Sequence, residues 1–123
     1  MKNKIIIIMS IFSSIFGMTA QQLYQVKVLE PNDYKNAISI KKVQLFDVRT
    51  SQEYNSGHIK NAINVDVFNK NSFVAHFKTL DTETPVYLYC RSGSRSQKAA
   101  KLLVELGFKE IYDLKGGFLN WKN

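Results

Sequence analysis

The single cysteine of this 123-residue chain, Cys90, lies where a strand pattern gives way to a helix pattern. Residues 85–89, PVYLY, are typical of a buried strand, and residues 97–106 are rich in helix-forming side chains. The intervening residues are Arg91, Ser92, Gly93, Ser94, Arg95 and Ser96. Because four of these six are small, and because Gly93 adopts a positive φ at little cost, we predict a tightly curled loop that begins at the thiol.

A loop of this kind favours a reactive thiol over an inert core cysteine. Its backbone N–H groups point toward a common centre, and the N-terminus of the next helix adds unpaired donors and partial positive charge. We predict that Ser94 or Ser96 caps that helix and that Arg91 and Arg95 add full charges. Donors and positive charge favour a thiolate, so the sulfur of Cys90 is expected to be nucleophilic.

Three kinds of cysteine chemistry use such a loop, and the residues separate them. Dithiol exchange within one chain needs a second cysteine, which this chain lacks. Cysteine phosphatases use a Cys-x5-Arg loop, in which the arginine grips phosphate with two parallel hydrogen bonds. The sixth residue after Cys90 is Ser96, and Arg95 comes one place early, so this loop is one residue too short. Sulfur transfer needs a cup for one sulfur and a cationic approach, which the loop can provide.

The elements that must position Cys90 alternate along the chain. Apolar alternation predicts five strands, and helical patterns separate them. Gly57 and Gly107 are predicted to end two of these helices. This order predicts an α/β fold with a mostly parallel five-stranded sheet flanked by helices on both faces, and ligands of such sheets bind at the carboxyl ends of the strands. The predicted strands are 26–28, 43–48, 62–65, 85–89 and 110–114, and the predicted helical segments are 30–39, 51–54, 70–80, 97–106 and 118–121.

The first twenty residues differ from the rest. Lys2 and Lys4 precede an uncharged run over residues 5–20 that ends in Ala20, which predicts a signal peptide at 1–20 and a domain at 21–123. The run of sixteen residues is short for a membrane span, which needs about 20. We therefore expect an exported protein, periplasmic or extracellular, and membrane association only if the segment stays uncleaved as an anchor.

Composition excludes two further classes of function. The formal net charge is +7, but the lysines are scattered, and no basic stripe is interleaved with stacking aromatic residues. Nucleic acid is therefore not an expected partner. The two histidines are isolated and there is one cysteine, so no metal site and no cofactor is expected.

Several motifs in order along the chain resemble those of single-domain rhodaneses, a family of sulfurtransferases. The resemblance covers residues 23–123, and it departs at Asn61, where the family usually has glycine. The motifs are Asp47-Val48-Arg49, Glu53-Tyr54, Gly57-His58-Ile59, Ala62-Ile63-Asn64-Val65, Cys90-Arg91-Ser92-Gly93-Ser94-Arg95-Ser96, and Leu114-Lys115-Gly116-Gly117 with Trp121.

The resemblance implies covalent, two-step sulfur transfer. Cys90 would attack the outer sulfur of an anionic donor such as thiosulfate, and the persulfide would then pass its sulfur to cyanide, a small thiol or a protein thiol. The backbone N–H groups of residues 91–95 would stabilise the charge on sulfur. The substrate-binding residues that the resemblance implies are Arg91, Ser92, Gly93, Ser94 and Arg95.

Six more residues of these motifs are expected to support the site without reacting. Asp47 and Arg49 are expected to hold loops together by hydrogen bonds, with Glu53 as a partner for Arg49. His58 is expected to be structural. Gly116 and Gly117 are expected to form a turn that closely approaches the loop. The side chains of Tyr87, Tyr89 and Trp121 are expected to pack in the core.

Two alternatives remain open at this point. One is a phosphatase or arsenate reductase on the same fold, which the short loop disfavours. The other is a non-catalytic persulfide carrier or sulfide-sensing module, which would load sulfur without rapid turnover. The sequence identifies neither the physiological donor and acceptor nor the oligomeric state.

Overall fold

The structure, a computed structural model, describes residues 25–40 and 43–122. The predicted signal peptide at 1–20 lies outside these residues. The strands are β1 (Val26–Leu29), β2 (Gln44–Asp47), β3 (Ile63–Asn64), β4 (Val86–Tyr89) and β5 (Ile111–Leu114). The helices are α1 (Pro31–Ile40), α2 (Ser51–Ser56), α3 (Lys70–Phe77) and α4 (Ser94–Glu105), followed by a 3-10 turn at Phe118–Asn120.

The five strands form one sheet in the order β1-β5-β4-β2-β3, and every pairing is parallel. All four residues of the central strand β4 are buried, as expected for a parallel strand covered on both faces. Asp47 of β2 pairs with Tyr89 of β4, and the Val48 N–H donates to the Tyr89 carbonyl at 3.0 Å. The carboxyl ends of β2 and β4 therefore lie side by side, as the α/β prediction requires.

Helices cover both faces of the sheet, so there are two core clusters. On one face, Phe73 and Phe77 of α3 are buried and pack with the apolar side of α4. On the other face, Tyr34 of α1 packs with Tyr87 and Tyr89, which confirms the packing role predicted for these two tyrosines. Within the described part of the chain, no helix has the length and apolar character needed to cross a membrane.

Helix α4 begins three residues earlier than the sequence predicted. Its first residue is Ser94 and its N-cap is Gly93, with φ of 120° and no side-chain cap. The predicted cap by Ser94 or Ser96 is therefore wrong, because Ser94 is already helical and the Ser96 hydroxyl turns toward Cys90 and Gly93.

The other end of α4 confirms the role predicted for Gly107. Its φ is 98°, and its N–H donates to the Val104 carbonyl at 3.0 Å. The next N–H, of Phe108, donates to the Leu103 carbonyl at 3.0 Å. This pair of bonds is a Schellman motif, in which glycine accepts the left-handed conformation.

Candidate active site

Cys90 follows the last residue of β4 and is only 1 % exposed. The Gly93 N–H donates to its Sγ at 3.0 Å, and the thiol lies 3.3 Å from Ser96 Oγ, to which it donates. The Ser96 hydroxyl in turn donates to the Gly93 carbonyl at 3.1 Å. The loop thus curls back on the sulfur as predicted, and it sets a backbone donor and a hydroxyl against it.

The outer side of the loop faces solvent. Arg91, Ser92 and Ser94 are exposed, whereas Arg95 is half-buried. Of the residues predicted to bind substrate, Gly93 is the one with a hydrogen bond to the sulfur in the structure. Arg91 is therefore the exposed arginine of the loop.

Arg95 is held by Glu53 from helix α2. Its Nη1 donates to Oε1 at 2.7 Å and its Nη2 to Oε2 at 2.9 Å. This bidentate pairing is the main cause that lowers the pKa of Glu53 to about 2. Glu53 also closes a capping box with Thr50 at the start of α2. The predicted pairing of Glu53 with Arg49 is wrong, because Arg49 is engaged elsewhere.

Arg49 pairs with Asp47 in the interior. Arg49 Nη2 lies 2.6 Å from Asp47 Oδ2 and also donates to the Gly57 carbonyl at 2.7 Å. Its guanidinium lies over the Phe118 ring, 4.5 Å from the centroid. Asp47 also accepts from the Tyr89 hydroxyl at 3.0 Å. This pair ties the end of β2 to α2 and to the 3-10 turn, which is the structural role expected for both residues.

The Gly116-Gly117 turn packs against the Cys90 loop. The Phe118 N–H donates to the Cys90 carbonyl at 2.8 Å, and the Leu119 N–H donates to the Arg91 carbonyl at 3.1 Å. A Cβ on Gly117 would lie 2.4 Å from the carbonyl carbon and oxygen of Arg91. The close approach expected of this turn is made by Gly117, where any side chain would force the Cys90 loop to shift.

Three other motif residues, His58, Asn61 and Trp121, make packing contacts or form a turn. The His58 ring stacks on Tyr54 at a centroid distance of 3.7 Å, and its Nδ1 lies 2.8 Å from the Tyr54 carbonyl oxygen. Asn61, in place of the family's glycine, has φ of 71°; asparagine tolerates this left-handed conformation better than most residues. Trp121 packs edge-on against Tyr34 at 6.2 Å.

Two buried residues of the site were missed as functional candidates. Ser96 was considered only as a cap, and Asp113 was not considered. Asp113 is 2 % exposed and accepts from Gln97 Nε2 at 2.6 Å. Burial raises its pKa, and the hydrogen bond from Gln97 opposes the rise. The sequence did contain a signal for a buried carboxyl at Asp113, because strand alternation places this residue on the same inward face as Ile111.

The described residues contain no cluster of three or more histidine, cysteine, aspartate or glutamate side chains that could hold a metal ion.

Comparison with known proteins identifies the family. The rhodanese-like domain matches residues 30–123. The chain belongs to the rhodanese-like domain family. The thiosulfate sulfurtransferase GlpE of Shewanella oneidensis is 38 % identical over 96 residues, which cover 77 % of this chain and 91 % of GlpE.

Other members of the family differ in length and named activity. The tRNA uridine(34) hydroxylase of Pelagibacter ubique is 36 % identical over 93 residues, which cover 76 % of this chain but 31 % of that protein. The crystal structure of a rhodanese-like domain protein from Staphylococcus aureus superposes with a TM-score of 0.69 at 26 % identity, over 79 % of this chain and 92 % of the other.

Proposed function

We propose that this rhodanese-like protein is a sulfurtransferase that moves sulfane sulfur through a persulfide on Cys90. The observation that carries the proposal is the buried Cys90 Sγ with the Gly93 N–H 3.0 Å away and Ser96 Oγ at 3.3 Å. Such a setting suits an ionised sulfur that must carry a second sulfur atom. The similarity to GlpE over 91 % of its length supports the same activity.

In the loading step, the Cys90 thiolate attacks the outer sulfur of a donor such as thiosulfate. The sulfur–sulfur bond of the donor breaks, and its electron pair leaves with sulfite. Cys90 then carries a persulfide, whose charge the Gly93 N–H can stabilise. The Ser96 hydroxyl can turn its proton from the Gly93 carbonyl to the sulfur, since a hydroxyl rotates to suit its partner.

In the discharge step, an acceptor attacks the outer sulfur of the persulfide. The bond between that sulfur and Cys90 Sγ breaks, and its electron pair returns to Sγ as a thiolate. Cyanide leaves as thiocyanate, and a thiol leaves as a persulfide. Exposed Arg91 is suited to attract the anionic donor, while Arg95, held by Glu53, shapes the loop.

Phosphate chemistry is the weaker proposal for this loop. In a Cys-x5-Arg site the arginine faces the bound phosphate. Here Arg95 is one residue early and turns its guanidinium to Glu53. The named activity of the tRNA hydroxylases belongs to proteins of which this chain spans 31 %, and no contact of the site favours it.

The test is the intact mass of the protein after incubation with thiosulfate. We expect the gain of one sulfur atom, its removal by cyanide with formation of thiocyanate, and no gain in Cys90→Ser. Removal by cyanide distinguishes the persulfide from a sulfinic acid of nearly equal mass, which would persist. Repeated turnover would favour an enzyme over a carrier, and no gain from any sulfane donor would reject sulfur transfer.

We also propose export, with cleavage near Ala20. The support is the sequence pattern of residues 1–20 alone. N-terminal sequencing of the protein from its native cell fraction should begin at Gln21; an intact N-terminus in the membrane fraction would favour an uncleaved anchor, and one in the cytosol would reject export.

A further inference from the structure

A groove of about 310 Å³ runs along helix α4 from its first turn, which follows the Cys90 loop. Its α4 wall is formed by Arg95, Lys98, Lys101, Leu102 and Glu105, which recur at helical spacing and share one face. From Arg95 to Glu105 this wall is about 15 Å long, because an α-helix rises 1.5 Å per residue. The opposite wall is formed by Val67, Phe68 and Lys70, which precede and begin α3.

The groove begins close to the reactive loop. Arg95, which lines the groove, lies in the first turn of α4, two residues after Gly93. Its guanidinium lies over the Phe68 ring, 5.2 Å from the centroid. An occupant of the groove would therefore have one end beside the loop that holds Cys90.

The walls are predominantly basic. Four basic side chains line the groove, and Glu105 is its one acidic residue. Arg95 is neutralised by Glu53, but within residues 25–40 and 43–122 no ion pair engages Lys70, Lys98 or Lys101. Three free ammonium groups around one groove form a local positive potential that attracts an anionic occupant.

The groove is also apolar in part. Val67 is buried and Leu102 half-buried, while Phe68 leaves 67 % of its surface exposed. Aromatic rings in this situation contribute strongly when a partner buries them, and they are enriched at protein interfaces. A single exposed ring beside lysines differs from the aromatic stacking platforms of RNA-binding proteins.

Building on the proposed function, we propose that this groove docks an acidic protein segment that carries the accepting thiol. Thiosulfate and cyanide are far shorter than the groove and do not need it. An extended segment of about four residues fills such a length, at about 3.3 Å per residue. Its acidic side chains would meet the three lysines and an apolar side chain would cover Phe68.

The transfer itself balances within the two proteins. The partner's thiolate attacks the protonated outer sulfur of the Cys90 persulfide and forms a new sulfur–sulfur bond. The bond to Cys90 Sγ breaks with its electron pair, so Cys90 returns to a thiolate and the partner leaves as a protonated persulfide.

The test uses full-length protein loaded with thiosulfate and measures loss of the persulfide by intact mass. Three acceptors are compared at low ionic strength: a short peptide with one cysteine, one leucine and several glutamates; the same peptide with lysines for the glutamates; and neutral dithiothreitol. We expect the acidic peptide to react at least about tenfold faster than the basic one, a preference that salt should weaken.

The paired variants are Lys98→Glu with Lys101→Glu, and, as a control of equal charge change, Lys27→Glu with Lys109→Glu at exposed positions away from the groove. The groove variant should lose the preference for the acidic peptide while dithiothreitol still discharges it at the original rate. The control should keep the preference. Thermal unfolding of each variant establishes that it is folded.

Three outcomes would overturn the docking proposal. Equal rates for both peptides in the loaded wild-type protein would reject the groove and leave sulfur transfer standing. Tighter, lysine-dependent binding of a single-stranded RNA oligonucleotide than of the acidic peptide would assign the groove to nucleic acid. Absence of any sulfur on Cys90 would reject the proposed function, and with it any acceptor site.

Discussion

Ser96 is the side chain whose hydroxyl connects the nucleophile to the loop. It is fully buried, accepts from the Cys90 thiol at 3.3 Å and donates to the Gly93 carbonyl at 3.1 Å. A hydroxyl that can turn toward sulfur stabilises the thiolate more than the thiol, because hydrogen bonds to charged groups are the stronger ones.

Ser96→Ala should therefore slow persulfide formation by roughly ten- to a hundredfold, since a hydrogen bond to a charged group contributes about 1.5–3 kcal/mol. Single-turnover loading with thiosulfate, followed by intact mass, measures this rate. Ser39→Ala, at an exposed hydroxyl on α1, is the matched control. An unchanged loading rate in Ser96→Ala would show that the hydroxyl has no part in the chemistry.

Asp113 is a buried carboxyl whose environment disfavours its charge. Burial raises its pKa above the unfolded value of 3.8, and the Gln97 side chain donates to it at 2.6 Å. The folded state therefore holds the proton longer than the unfolded state, and the stability lost through this carboxyl grows as pH rises above about 3.8.

Asp113→Asn should raise the free energy of unfolding at neutral pH by roughly 1 kcal/mol and flatten its fall above pH 4. Urea unfolding near pH 4 and at neutral pH measures both effects. Asp33→Asn, an exposed site in the first turn of α1, should show neither. Destabilisation of Asp113→Asn at neutral pH would mean that the charged form makes a favourable contact.

At the scale of elements, the Arg95–Glu53 pair joins α2 to the start of α4. Both side chains are partly exposed, so solvent weakens the pair. The pKa of Glu53 is lowered from 4.5 to about 2. The stability from this pair is therefore complete above about pH 4.5 and is lost as pH falls toward about 2.

Glu53→Gln should lower the free energy of unfolding by about 1 kcal/mol at neutral pH, and the difference should shrink as pH falls toward 2. Urea unfolding at neutral pH and near pH 3 provides the comparison. Glu83→Gln, at an exposed site, is the control. A difference from wild type that is constant with pH would exclude the ion pair as its cause.

The 3-10 turn and the Cys90 loop fit together through Gly117. Alanine there would place Cβ 2.4 Å from the Arg91 carbonyl, so the loop must shift. Gly117→Ala should reduce sulfur transfer at least about a hundredfold, because displacement of about 1 Å at a reacting group costs that much.

Gly107→Ala separates this effect from backbone strain. Gly107 also has positive φ, but its nearest side-chain contact would be 3.9 Å away. This variant should lose about 1–2 kcal/mol of stability and keep its activity. The proposed contact would be wrong if both variants lost activity to the same extent while folded.

At the scale of the whole molecule, stability should concentrate at the centre of the sheet. Strand β4 lies between β5 and β2 and is fully buried, whereas β3 is a two-residue edge strand in which Ile63 is 51 % exposed. Amide hydrogen exchange should be slowest in β4 and far faster in β3. Equal protection of the two strands would contradict this.

Much of this molecule follows from local patterns in its sequence. The five strands were predictable because each is a short apolar or alternating run, and the α/β order then brings Asp47 and Cys90 to one edge. The partner of Glu53 was not predictable, since the chain offers three arginines and only the tertiary structure, which gives Arg49 to Asp47 and Arg95 to Glu53, decides among them.

The start of α4 was equally undetermined, because small polar residues such as Ser94 suit both a loop and a first helical turn. What fixes it is the contact of the loop with Cys90 and with the Gly117 turn. Asp113 was missed because alternation indicates which face a strand residue occupies, but not which polar groups meet it there.

The strand order has a consequence for synthesis of the chain. Strand β1, the first in sequence, pairs with β5, the last in sequence, and β5 lies between β1 and β4 in the sheet. A nascent chain emerging from the ribosome therefore cannot complete its sheet until β5 is available, and the Phe118 N–H that holds the Cys90 carbonyl emerges later still. The Cys90 loop is made well before the turn that packs against it, so an unfinished chain exposes its nucleophile without that cover.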